Sequence, residues 1–219
     1  MPVKDFMTKK VVYISPDTTV SHAADIMRDQ GLRRLPVIEN DKLVGLVTEG
    51  TMAEASPSKA TSLSIFEMNY LLNKTKIRDV MIRDVITVSP YDRLEDAIYI
   101  MMKHHVGVLP VVENGQVYGI ITDKDVFKAF LEVSGYGEEG FRIVILADDS
   151  IGTLAKIIET ISDDNLNIKR TVIATRKSGK VTIEIQIDGK TDIKDLHQKL
   201  INQGIIVESI ERTEAKSLD

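Results

Sequence analysis

Sliding the sequence along itself by 74 positions sets Val3 opposite Ile77, and the register then runs without a gap to Met52 opposite Val126. Asp5, Met7, Val11, Ser15 and Pro16 recur as Asp79, Met81, Val85, Ser89 and Pro90. Further along, Leu35, Pro36, Val37, Gly45 and Thr48 recur as Leu109, Pro110, Val111, Gly119 and Thr122. Chance similarity rarely keeps register through glycines, prolines and apolar positions alike, so the chain carries one small unit twice.

Residues 11–14 and 85–88 are short β-branched runs stopped by Ser-Pro, the pattern of a strand entering a turn. Val20, Ala23, Ala24 and Met27, like Leu94, Ala97, Ile98 and Met101, follow helical spacing, and Gly31 ends the first helix. Two strands come next, 35–38 and 43–47 in the first copy and 109–112 and 117–121 in the second. The second pair is joined through Asn114-Gly115, a strong hairpin signal because a type I′ turn needs two positive φ angles. A second helix, clearest over 123–133, places Val126, Phe130 and Val133 on one face. The unit reads strand, helix, strand, strand, helix.

Between the copies, residues 53–62 are rich in Ser, Ala and Pro and read as an exposed loop. Ser64 with Glu67 fits a capping box, so a helix is expected over 65–73. Beyond the glycines of 135–140 the periodicity changes. An apolar strand at 141–147 precedes a helical stripe of Ile151, Leu154, Ile158 and Ile161. Strands at 167–175 and 181–187 turn at Lys177-Ser178-Gly179, Ile193, Leu196 and Leu200 mark a helix, and 205–210 is a closing strand. This βαββαβ order is the ferredoxin-like split arrangement, so the fold class is α/β (α+β).

Composition removes several functions. Lys plus Arg number 28 against 33 Asp plus Glu, a formal charge of -5, whereas a nucleic-acid binder carries a basic surplus. Cysteine is absent, which excludes disulfides, thiolate metal sites and cysteine nucleophiles. The charged N-terminus lacks a signal-peptide core and no apolar run nears a membrane span, so a cytoplasmic protein without a membrane partner is expected. Gly135 to Gly140 matches G-x-G-x-x-G literally, but it follows a helix and precedes a strand, the reverse of a dinucleotide fingerprint. His22, His104, His105 and His197 show no metal-ligand spacing, and no nucleophile, base and orienting group assemble. The expectation is not an enzyme, with no metal and no obligatory cofactor.

The stretches from Gly45 to Thr48 and from Gly119 to Asp125, with the two Leu-Pro-Val strands, resemble CBS domains over about residues 1–134. The resemblance implies a pseudosymmetric pair with clefts for adenosine-containing ligands. It also implies that Thr122 meets phosphate and Asp125 the ribose hydroxyls. Independently, a helix start favours a phosphate and a carboxylate accepts from two adjacent hydroxyls. The first copy departs from the family pattern: Thr48 is present, but Thr51 stands where the second copy has Asp125. A charge-assisted hydrogen bond is worth about 1.5 to 3 kcal/mol, so the first site is expected to be weaker by roughly 10-fold or empty. The adenine slot is expected between Val85 to Thr87 and the run Val106, Gly107, Val108, Leu109 and Pro110. Arg33, Arg34, His104 and His105 lie at equivalent helix ends as phosphate candidates. The same Thr and Asp also read as an ordinary helix cap, and the two arginines as solvated surface.

The C-terminal segment, with Ser150, Ile151 and Gly152 before its first helix and Asn167-Ile168 opening its second strand, resembles an ACT domain over about residues 140–212. Many members have Pro where Ile151 stands. That resemblance implies side-by-side dimerisation and an amino acid or other small molecule near those five residues. The boundaries that follow are a CBS domain at 1–60, a helical linker at 61–76, a second CBS domain at 77–134, a linker at 135–140, an ACT domain at 141–212 and a tail at 213–219. Together these parts resemble the acetoin utilisation (AcuB) family of bacterial regulators. The implied protein is a homodimer that senses adenine nucleotide (AMP, ADP or ATP) and signals to an unidentified protein partner. Two rival readings stay open: a module for another adenosyl ligand, such as S-adenosylmethionine or NADH, and a structural dimerisation protein without a ligand.

Overall fold

Each copy of the repeat opens with a segment too short to bury itself. The computed structural model, which describes residues 1–55, 64–176 and 179–217, shows it strapped onto the other copy. The chain divides into two compact units, residues 1–126 and 127–219. In the first unit a 3-10 turn, Val3–Asp5, precedes α1 (Val20–Gln30), β1 (Arg34–Glu39), β2 (Lys42–Thr48) and α2 (Glu49–Glu54). Then come α3 (Ile65–Lys74), the single turn α4 (Ile77–Val80), α5 (Leu94–His104), β3 (Val108–Glu113) and β4 (Gln116–Thr122), and α6 (Asp123–Ser134) spans the division at residue 126. Of the loop expected at 53–62, Ala53 and Glu54 instead end α2, and residues 56–62 lie outside the described residues.

The straps obey the repeat. Val3 N–H donates to Asp92 O at 2.9 Å, and its counterpart Ile77 N–H donates to Thr18 O at 2.9 Å. Thr8 bridges Ile120 and, equivalently, Ile82 bridges Leu46. Ile77 is fully buried in the first copy's core beside Ile14, Leu35 and Val47, and Val3 is equally buried. Gly45 and Gly119 allow the close approach: a Cβ on either would stand 2.5 Å from the sulfur of Met81 or Met7, respectively. Both hairpins carry their register shift at equivalent places, after Val37 and after Val111.

Three local readings are corrected. Residues 11–14 and 85–88 are not strands; each contributes one parallel bridge, Ile14 to Val37 and Val88 to Val111, because the strap leaves room for a single paired residue. On α6, Phe130 is 70% exposed and Ala129 is the buried residue. Periodicity also missed the turns Val3–Asp5 and Ile77–Val80, which are too short to show it. The capping box of α3 forms, with Ser64 N–H donating to Glu67 at 2.8 Å.

In the second unit, β5 (Gly140–Asp148), α7 (Thr153–Ser162), β6 (Asn167–Thr175), β7 (Lys180–Asp188), α8 (Ile193–Asn202) and β8 (Ile206–Thr213) follow in order. The sheet order is β6-β7-β5-β8 with every neighbour antiparallel, so each helix links two strands that flank a third. Ile143, Ile145, Ile183 and Ile185 of the sheet bury against Ile157, Ile161, Leu196 and Leu200 of the helices. The helix stripe differs from the sequence reading. Ile151 precedes α7 and is fully exposed, because Gly152, at φ 90°, caps a helix that starts only at Thr153, and Ile158 is only partly covered. Lys177 and Ser178 of the expected turn lie outside the described residues.

Candidate functional site

The pairing of Leu46 with Ile82 lays residues 82–86 beside the end of β2, and the chain then crosses to the second copy, where Val88 joins β3. A cleft of about 470 Å³ opens between that crossing segment, the β2–α2 junction and the residues leading into β3. Its apolar wall is Val85, Ile86, Val106 and Val108, with Gly107 leaving backbone exposed between them. Arg33, Arg34, Thr48 and His105 line the same cleft, with the Arg34 guanidinium close to Gly107.

The backbone holds these groups in place. Arg34 pairs with Thr48 across the first hairpin, and Glu49 N–H donates to Arg33 O at 3.0 Å. In the second copy Asp123 N–H donates to Gly107 O at 3.2 Å, the same contact moved by the repeat. Arg33 Nε lies 3.9 Å from Glu49 Oε2. A Cβ on Gly107 would come within 3.0 Å of Arg34 Nη2 and 2.8 Å of Asp123 Oδ2, so this glycine makes room for both charged groups. His105 occupies the left-handed C-cap of α5 at φ 53°, where the first copy has Gly31 at φ 63°.

The expected site residues fall into two groups. Val85, Val106, Gly107, Val108, Thr48, Arg33, Arg34 and His105 share the cleft. Thr87, Leu109, Pro110, Thr51, Thr122 and Asp125 are not in its wall. Leu109 is fully buried and paired with Ile121. Thr122 and Asp125 bond each other: Thr122 N–H and its hydroxyl donate to Asp125 Oδ2 at 2.8 and 2.7 Å, and Asp125 N–H donates to Thr122 Oγ1 at 3.3 Å. Thr48 and Thr51 form the first copy's version, but there the Thr51 hydroxyl donates to Thr48 O at 3.0 Å. Two acidic residues in the cleft, Asp84 and Glu49, were missed by the sequence reading. The repeat held the signal for one of them, since Lys10 stands at the first copy's equivalent of Asp84.

In the second unit the five expected ligand residues separate. Ser150, Ile151 and Gly152 follow the C-terminal end of β5. Asn167 and Ile168 pair with Asp188 and Ile187, at the end of the sheet where β5 begins. Ser150 lines a pocket of only about 190 Å³ with Thr153, Lys156 and Lys180, below the usual ligand range of roughly 300 to 1,000 Å³. Among the described residues no cluster of His, Cys, Asp and Glu suits a metal ion, and no helix is long and apolar enough to cross a membrane.

Comparison with known proteins singles out the first unit. The family model described as CBS domain matches twice, at residues 3–58 and 77–132, half of the chain. The protein MJ1225 of Methanocaldococcus jannaschii is 34% identical over 130 residues, which cover 58% of this chain and 46% of MJ1225. The chain thus spans less than half the length of that curated relative. A Vibrio cholerae structure provisionally assigned to acetoin utilization (AcuB) superposes with a TM-score of 0.53 at 30% identity, covering 63% of this chain and 98% of the other. CBSX2, solved in complex with AMP, superposes with a TM-score of 0.51 at 27% identity, covering 61% of this chain and 98% of the other.

Proposed function

The chain belongs to the CBS domain family, and from that premise we propose that its two copies form a regulatory module that binds an adenine nucleotide and passes its occupancy to a protein partner. The observation that carries this reading is the cleft of about 470 Å³ lined by apolar side chains together with two arginines and a threonine. Its size lies within the range of small-molecule sites, and its chemistry suits a flat base on one side and a phosphate on the other. The AMP complex of the related CBSX2 supports the ligand class. Binding of this kind needs no chemistry, since a ligand that prefers one arrangement about 10-fold shifts the balance by about 1.4 kcal/mol.

Asp125 lies outside the wall of this cleft; its proposed role is to take the ribose hydroxyls of a nucleotide at the second copy's own helix start, which requires its carboxylate to leave the Thr122 cap. Residues 141–212 are proposed as an ACT domain that makes the protein a homodimer and accepts an amino acid, supported by their βαββαβ order and by Gly152 at the start of α7. The domain limits 1–60, 77–134 and 141–212 belong to the same proposal. A role in acetoin utilisation rests on the likeness to AcuB. The test is calorimetric titration of the full chain with AMP, ADP and ATP, repeated on Asp125→Ala. Heat from one or more of them, weakened about 10-fold in the variant, is the expected result. Silence with all three overturns the sensor, whereas equal affinity in the variant overturns only the role of Asp125. A monomer by sedimentation would contradict the homodimer.

A further inference from the structure

Taking the cleft as the adenine nucleotide site, we infer that Asp84 and Glu49 select by charge, so that the site takes a nucleoside monophosphate and excludes the triphosphate. The permanent cations of the cleft are Arg33 and Arg34, and Asp84 and Glu49 line it with them, so these four charges cancel. Arg33 already has Glu49 at 3.9 Å, and the Arg34 guanidinium reaches over Gly107 toward Asp123. A single phosphate brings about two negative charges, matched in number by the two arginines. Each further phosphate adds about one more negative charge and finds no additional arginine in the cleft; the other ionisable groups lining it are His105 and the two carboxylates.

The repeat supplies a control for whether the fold dictates this. Asp84 and Lys10 occupy equivalent places on the two crossing segments, and both are exposed. The fold therefore tolerates either sign at this position, and packing does not require the acid beside the arginines. A like charge set against one ligand and harmless to another is the usual means by which a site rejects the wrong partner.

The experiment is titration of the full chain with AMP and ATP in the absence of divalent metal, on the wild type, Asp84→Asn and Asp84→Lys. The wild type is expected to bind AMP at least about 10-fold more tightly than ATP, with Asp84→Lys tightening ATP about 10-fold while AMP moves less than about 3-fold. Asp84→Asn should fall between. Asp84 is exposed, so the variants should keep the wild-type circular dichroism spectrum and melting curve. ATP binding as tight as AMP in the wild type, or an unchanged AMP to ATP ratio in Asp84→Lys, overturns the charge selection while leaving the nucleotide site intact. Absence of binding by either nucleotide in all three proteins overturns the site itself and the selection with it.

Discussion

The two copies share backbone, turns and straps, yet differ at the positions that face ligand or solvent. Val3 and Ile77, Gly45 and Gly119, and both hairpin bulges are interchangeable because each serves the same packing. By contrast Thr51 faces Asp125, Lys10 faces Asp84 and Gly31 faces His105 across the repeat. The helix that closes the unit runs Glu49–Glu54 in the first copy and Asp123–Ser134 in the second. The shared half specifies the fold, and the divergent half carries whatever distinguishes the two copies.

The largest effect should come from breaking what the copies share. Ile77→Ala removes a fully buried side chain of the second copy from the core of the first and should cost about 3 kcal/mol in urea unfolding. Because the straps are reciprocal, Val3→Ala should also destabilise both copies in a single transition. A loss below about 1 kcal/mol for Ile77→Ala would mean that the strap does not hold the pair together.

Next in size is the divergence at the helix start. Asp125→Ala should weaken nucleotide binding about 10-fold and Thr51→Ala less than about 3-fold, because only the former removes a charged acceptor. Equal losses would erase the distinction between the copies. A smaller effect is expected at the C-caps. His105 holds a left-handed backbone that costs a side chain about 1 kcal/mol, so His105→Gly should raise stability by about that amount, and Gly31→Ala should lower it similarly. The smallest concerns α3, which follows only the first copy. Backbone N–H and hydroxyl donation from Ser64 hold the Glu67 carboxyl below its ordinary range. A depressed carboxylate stabilises fully above its unfolded value of about 4.3 and loses that contribution as pH falls through the folded value. Carboxyl NMR should therefore find Glu67 titrating below an ordinary glutamate; a midpoint at or above it would remove the cap.

The repeat offset, the hairpins, the Ser64 cap and the βαββαβ order were legible because each is written in local periodicity or turn chemistry. The single-residue bridges of Ile14 and Val88 were not, since their partners lie some 20 residues away and the straps that limit them come from the other copy. The apolar side of the cleft, with Val85 and Val106, could be read from the resemblance. Glu49 could not, because no spacing rule reports which residues meet across two copies, and Asp84 was marked only by its divergence from Lys10 in the repeat. Thr122 and Asp125 admitted both a cap and a ligand role, and the contact between them is the cap.

The most direct measurement is a crystal structure of the full chain grown with AMP. Density for the base against Val85 and Val106, with the phosphate at Arg33 and Arg34, is the expected result. A structure with AMP present at saturating concentration and the cleft empty, or with AMP bound elsewhere on the chain, would contradict the assignment of this cleft as the nucleotide site.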